Sequence, residues 1–301
     1  MRLAVSDKLR ARCEEGEISA EQLGRFEKFV DRCNRDLMQH PVITDNEYTR
    51  WFARGEYSRE HLRHFITQFS VFSNLFLVAQ LLKTINSSSL EGMRSSKEIL
   101  ANEIGVIFNK GGAKKSSETG DADREGDPAL VSTEGTVDGG TFRFKAAHFE
   151  WLLRIGQVLD LTFDDMGKRR HGTPGTLFFC DELARIYGSE DPNIAEGASF
   201  AVENWAAAGF WKELIAGLEI FKKNHQPDLP LAFFTWHDKI EDQHAGHVMD
   251  ELEEVYLSDG FDEEKFLKGG SQMLDGVRAF WTGLNENRIA EEYSKRETAA
   301  A

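Results

Sequence analysis

The stretch "FFTWHDKIEDQHAGHVMDELEEVY", residues 233–256, carries three histidines within eleven residues. Phe233, His237, Ile240, His244, Val248 and Leu252 recur at steps of three and four, the apolar stripe of an amphipathic helix. With about 100° of turn per residue, Glu241 falls about 40° to one side of His237 and His244 about 20° to the other. All three can aim at one point, whereas His247 falls about 80° away.

Three further segments break an apolar seam in the same manner. Phe200, Glu203, Ala207, Phe210 and Leu214 form the seam of a helix expected over 192–224, with Glu203 in its middle. His148 heads the seam continued by Leu152, Ile155 and Leu159 in a helix expected over 143–161. Glu103 shares a face with Leu100 and Ile107 in a helix expected over 90–108. A carboxylate buried in a seam is costly unless it is paired or binds a cation. Taken singly, each residue can be a hydrogen-bonded core group, and Glu241 can pair with His244. Taken together, Glu103, His148, Glu203, His237, Glu241 and His244 are three carboxylates and three imidazoles from four helices. That donor set suits a dinuclear iron site, or a manganese/iron pair, within a helix bundle.

Helical periodicity is also expected over 5–14, 19–39, 45–54, 58–85 and 261–295, the last as a C-terminal capping helix. The 58–85 segment is apolar nearly all round in its second half and is placed at the centre. Residues 110–141 carry seven glycines, eleven charged residues and no aromatic, and are expected as a disordered or lid-like insertion. The 301 residues are read as a single helical domain.

Composition narrows the partners. A net charge of −15 argues against nucleic acid, which demands a basic footprint. No apolar run reaches about 18 residues, since Ser73, Asn74 and Gln80 interrupt "FSVFSNLFLVAQLL", so no membrane span is expected. The N-terminus has no apolar signal core, and the three widely spaced cysteines suggest no disulfide framework. A soluble, reduced, cytoplasmic protein is the expectation, and a homodimer is compatible with it. "HDKIEDQH" is not HExxH, which argues against a metalloprotease, and no phosphate-binding glycine motif or GxSxG is present.

"HDKIEDQH", with Glu241 between its histidines, resembles the late His-x3-Asp/Glu-x2-His motif of the haem-oxygenase-like di-iron oxidases and oxygenases. "ANEIG" and "AAHFEWLL" resemble that family's earlier ligand pair, and "SFAVENW" its lone glutamate. The resemblance covers about 58–257, and its last motif is the specific one. It departs from the pattern in one respect: 44 residues separate Glu103 from His148. It implies an all-α, haem-oxygenase-like seven-helix bundle with extra N-terminal helices. It also implies two irons, O2 as co-substrate, a small organic substrate (amine, amino acid or fatty acid) and an external electron donor. Phe65, Phe69, Phe72 and Phe76 would wall the substrate pocket, although plain core packing is the favoured account of them.

Three other readings stand beside this one. A metal-free thiaminase-like or quinone-cofactor-synthesis-like enzyme would need a nucleophilic cysteine such as Cys180, or a cationic pocket. A haem-degrading enzyme would need His61 or His64 as its proximal ligand. A non-enzymatic helical interaction protein would need neither.

Overall fold

The computed structural model describes residues 2–110, 134–137, 140–144 and 146–300, with side chains at 91, 107–144, 240–248, 250–251, 293 and 295–300 outside that description. Four helices open the chain: α1 (Asp7–Glu14), α2 (Ala20–Asp36), α3 (Pro41–Thr44) and α4 (Glu47–Phe52). Serine caps set the first starts. Ser6 accepts from Leu9 N–H, and Ser19 and Gln22 form a reciprocal capping box. Ser6 also ties the N-terminus to the bundle, donating from its backbone nitrogen and hydroxyl to the carboxylate of the buried Glu253 at 3.0 and 2.8 Å.

The central helix α5 (Arg59–Ile85) follows, capped by Ser58, and then α6 (Leu90–Glu103). By length and composition α5 could cross a membrane: the polar interruptions do not stop an 18-residue window from reaching a mean hydropathy of 1.6. In this fold the first half of α5 is used inside the protein, where Leu62, Phe65, Ile66, Phe69 and Val71 are buried, whereas Val78, Leu81 and Ile85 are exposed.

After α6 the chain leaves the bundle as β1 (Val106–Lys110), returning as β2 (Glu134–Val137) and β3 (Gly140–Phe144). These make an antiparallel sheet of order β1-β3-β2. Strand β1 pairs with β3 from Val106↔Phe144 to Lys110↔Gly140. The insertion expected without structure over 110–141 is thus bounded by paired strands, and residues 111–133 lie outside the described ones. The helix expected over 90–108 stops at Glu103, because Gly105 takes a φ of +71° and the apolar "VIF" that follows serves a strand.

The remaining helices are α7 (His148–Val158), α8 (Pro174–Glu182) with a π-turn at Leu183–Tyr187, α9 (Pro192–Ala206), α10 (Phe210–Asn224), α11 (Ala232–Leu257) and α12 (Glu263–Ala300). Pro174 and Pro192 sit at first helical positions, where the missing N–H costs nothing. The segment 192–224 is two helices, not one, because Gly209 adopts a φ of +101° between them. Glu203 and Leu214 therefore do not share a continuous seam. Helix α12, expected to cap the bundle, instead runs through its core, burying Met273, Leu274, Val277, Phe280, Trp281 and Leu284. It approaches α9 backbone to backbone. A Cβ on Gly197 would collide with the Phe266 carbonyl, and one on Gly269 with that of Ile194.

Candidate functional site

Glu103 is the last residue of α6 and His148 the first of α7. The β1–β3 pairing closes the intervening excursion, so the two helix ends meet. His148 Nδ1 lies 2.9 Å from Glu103 Oε2, with the side chains 8% and 16% exposed. The contact is close but not aligned as a hydrogen bond: Nδ1 is a buried polar atom without a hydrogen-bond partner. An imidazole nitrogen and a carboxylate oxygen at that separation form an ion pair when the ring is protonated; with a neutral ring whose Nδ1 carries the lone pair, the same two atoms are spaced as donors to a shared cation.

His237 on α11 stands beside them, its ring centroid 4.9 Å from that of His148. Its Nδ1 donates to the Phe233 carbonyl at 2.6 Å. That bond sets the tautomer, placing the lone pair on Nε2, as a backbone carbonyl does for metal-ligating histidines. Aromatic rings enclose the pair. Trp211 stacks on His237 at 5.0 Å and 23°, Phe233 lies 4.3 Å from the same ring, and Trp236 touches both histidines at 4.9 and 5.0 Å. Trp151 closes the His148 side at 5.8 Å. Such a wall excludes water and strengthens every electrostatic interaction within it.

Glu203 lies on α9, half-buried, within electrostatic reach of Tyr187 in the π-turn. Burial raises the Tyr187 pKa; the Lys83 ammonium opposes this and the Glu203 charge adds to it. Lys83 Nζ sits 4.5 Å from the Tyr187 ring centroid and donates to Ser199 Oγ at 2.6 Å. Glu241 and His244 follow His237 on the unbroken α11, and their side chains lie outside the described residues. Among the described residues, no group of three or more His, Cys, Asp or Glu is placed to hold a metal. The structure brings Glu103 to His148, and the His237 ring against that of His148.

A cleft of about 430 Å³ opens against Glu103, lined also by Ser73, Asn74, Leu77, Phe149 and Phe163. The side of α5 that faces it is this Ser-Asn-Leu stretch, whereas Phe65, Phe69, Phe72 and Phe76 are not among its lining residues. Phe65 and Phe69 are fully buried among Phe234, Trp211, Trp281 and Phe280. Phe72 packs on Phe179 and Phe280, and Phe76 on Tyr187. The signal for the cleft was present in the sequence, because Ser73 and Asn74 interrupt an otherwise apolar run at adjacent positions.

The residues that other chemistries would need are otherwise engaged. Cys180 is buried, and that burial pushes its thiol up to about 12, far from a thiolate at neutral pH. His61 shares the Ser58 cap and faces Glu291 at 3.3 Å, while His64 meets Asn287 at 2.8 Å.

No protein-family model matches the chain, and no curated protein matches it in sequence. Solved structures do resemble it. A TenA homologue from Pseudomonas syringae pv. tomato superposes with a TM-score of 0.59 at 9% identity, covering 86% of this chain and 93% of that one. A domain of unknown function with a haem-oxygenase-like fold from Shewanella denitrificans gives 0.55 at 13% identity, covering 91% and 95%. A CADD-like protein of unknown function from Nostoc punctiforme gives 0.55 at 15%, covering 87% and 98%. At these identities the likeness speaks for architecture: the chain has the all-α, haem-oxygenase-like fold shared by TenA-like and CADD-like proteins.

Proposed function

We propose that the protein is an O2-activating non-haem di-iron oxidase or oxygenase acting on a small organic substrate. The observation that carries this reading is the His148–Glu103 pair, a buried imidazole nitrogen 2.9 Å from a partly exposed carboxylate oxygen and not aligned with it as a hydrogen bond, beside a histidine whose Nδ1 proton is held by a backbone carbonyl. The donor chemistry fits iron: neutral imidazoles and carboxylates bind it without closing every position. Glu103, His148, Glu203, His237, Glu241 and His244 would hold the metal ions, iron alone or with manganese. When bound, two reduced irons supply electrons to dioxygen and so generate an oxidant that organic side chains cannot provide.

The chain's own residues have separate tasks. The Phe233 carbonyl holds the Nδ1 proton of His237 and so fixes Nε2 as the ring nitrogen that carries the lone pair. Trp151, Trp211, Trp236 and Phe233 keep water from the imidazoles. The cleft admits substrate along Ser73 and Asn74 to Glu103. Its lining joins apolar rings to two carboxylates, Glu103 and Glu150, which suits an amine or amino acid, or the chain of a fatty acid. An external reductant and a reducing cytoplasmic setting complete the proposal.

The test is an anaerobic Fe(II) titration of metal-stripped protein, followed by a pulse of O2 with the visible spectrum recorded. Binding near two irons per chain with a new ferric absorption supports the reading. Absence of binding above background overturns it and turns attention to a metal-free enzyme of the TenA-like fold.

A further inference from the structure

Six tryptophans occur in the chain, and among the described residues Trp151, Trp205, Trp211 and Trp281 bury an indole N–H that has no hydrogen-bond partner. A buried tryptophan ordinarily finds an acceptor for this group, and leaving it unmet costs stability. Phenylalanine would fill such positions without that cost, so the indoles call for another explanation.

Three of the four lie on one continuous path. Trp211 stacks on His237 at 5.0 Å. Phe210 touches Trp211 at 4.4 Å, Trp205 at 4.5 Å and Trp281 at 5.7 Å. Trp281 lies 5.7 Å from Tyr48, which lies 5.3 Å from Trp51. Trp51 is only half-buried and marks the outer end. The Arg288 guanidinium over its ring, 4.7 Å from the centroid, is itself paired with Glu292, which offsets the positive charge.

We infer that this aromatic path conducts single electrons between the protein surface at Trp51 and the candidate metal site at His237. Indole is the most easily oxidised of the neutral side chains, and overlapping rings a few ångströms apart pass an electron far faster than aliphatic packing does. An indole N–H without an acceptor cannot shed its proton, so the oxidised ring stays a radical cation and passes the vacancy on rather than trapping it. Tyr48 is buried between Trp51 and Trp281, with ring centroids 5.3 and 5.7 Å away, and serves as a bridge between them. At the inner end, an O2-derived oxidant, as the proposed site would supply, would be reduced by one electron drawn from Trp211, leaving that indole as a radical cation. The vacancy moves through Trp281 to Trp51. There a small thiol supplies the electron, releases its proton to water and ends as half of a disulfide.

The purpose of the path rests on the proposed metal site, but its conduction does not, and the test uses metal-free protein. A ruthenium photo-oxidant is attached through Arg54→Cys, one turn after Trp51, in a Cys13→Ser background. After illumination with a sacrificial acceptor, oxidation is mapped residue by residue by mass spectrometry. The expected result is oxidation at Trp281 and Trp211 but not at Met166, which is as deeply buried and off the path. Trp281→Phe, which keeps a packed ring, should abolish oxidation of Trp211 and leave that of Trp51. Should Trp281→Phe fail to fold, the wild-type pattern decides alone. Oxidation confined to Trp51, spread equally to Met166, or unchanged at Trp211 in Trp281→Phe overturns the inference. A failed iron titration beside a conducting path would overturn only the proposed function.

Discussion

His148 Nδ1 meets Glu103 Oε2 at 2.9 Å although 44 residues of chain lie between them. The contact exists because Val106 pairs with Phe144, each a few residues from its partner in the site. A sequence separation that argued against Glu103 is cancelled by a strand pair.

If these two residues are ligands, binding of Fe(II) must stabilise the fold. At a hundred times its dissociation constant a ligand contributes about 2.7 kcal/mol, which for a chain of this size raises Tm by roughly 5 °C. Anaerobic thermal unfolding with and without Fe(II) should show that shift. Glu103→Gln, which keeps the volume, and His148→Ala should each lose most of it. An undiminished shift in Glu103→Gln would remove Glu103 from the ligand set.

The α9–α12 crossing depends on the absence of a side chain at Gly197. Gly197→Ala forces the helices apart and should cost about 1–3 kcal/mol, as overpacking does. Gly24→Ala, on α2 with open space around its would-be Cβ, should instead stabilise by about 0.5–1 kcal/mol. Urea unfolding of the two variants is the comparison; equal effects would contradict the packing described.

His64 titrates below the ordinary imidazole value, mainly because burial disfavours its charged form; Glu291 opposes this and His61 adds to it. The unfolded chain therefore binds the proton more readily than the folded one. The His64 contribution to stability is complete above about pH 6.5 and declines as the pH falls from there toward the folded pKa. His64→Asn should flatten the acid limb of the urea midpoint between pH 7.5 and 5.5. An unchanged slope would show that the loss arises elsewhere.

Cys180 separates the metal reading from thiol catalysis. With its pKa pushed up to about 12, it should react with disulfide reagents far more slowly than the partly exposed Cys13. Cys180→Ala should leave Fe(II) binding unchanged. Rapid modification of Cys180 at neutral pH would favour the metal-free enzymes.

How far the sequence reached depended on how local each signal is. Helix α5 was read within a residue of its bounds, because Ser58 and a long apolar pattern specify it on the spot. The break at Gly209 was hidden by the alanines before it, which favour helix, and by a seam spacing that runs on across the turn. "VIFNK" is too short to tell strand from helix by period, and its partner begins some thirty residues later. The pairing of Glu103 with His148 needs that non-local register, so the residues were legible as candidates but their meeting was not. The cleft wall at Ser73 and Asn74 was visible only as an irregularity, since its meaning depends on where α7 lies.

The β1–β3 ladder also bears on how this molecule can change over time. Because the strands fasten the chain on both sides of 111–133, the length between them is uncoupled from the site, and doubling a loop costs only about 0.6 kcal/mol. Lineages could lengthen, shorten or exchange that segment while Glu103 and His148 keep their places. Variation would accumulate beside the candidate site while the core of the bundle stays the same.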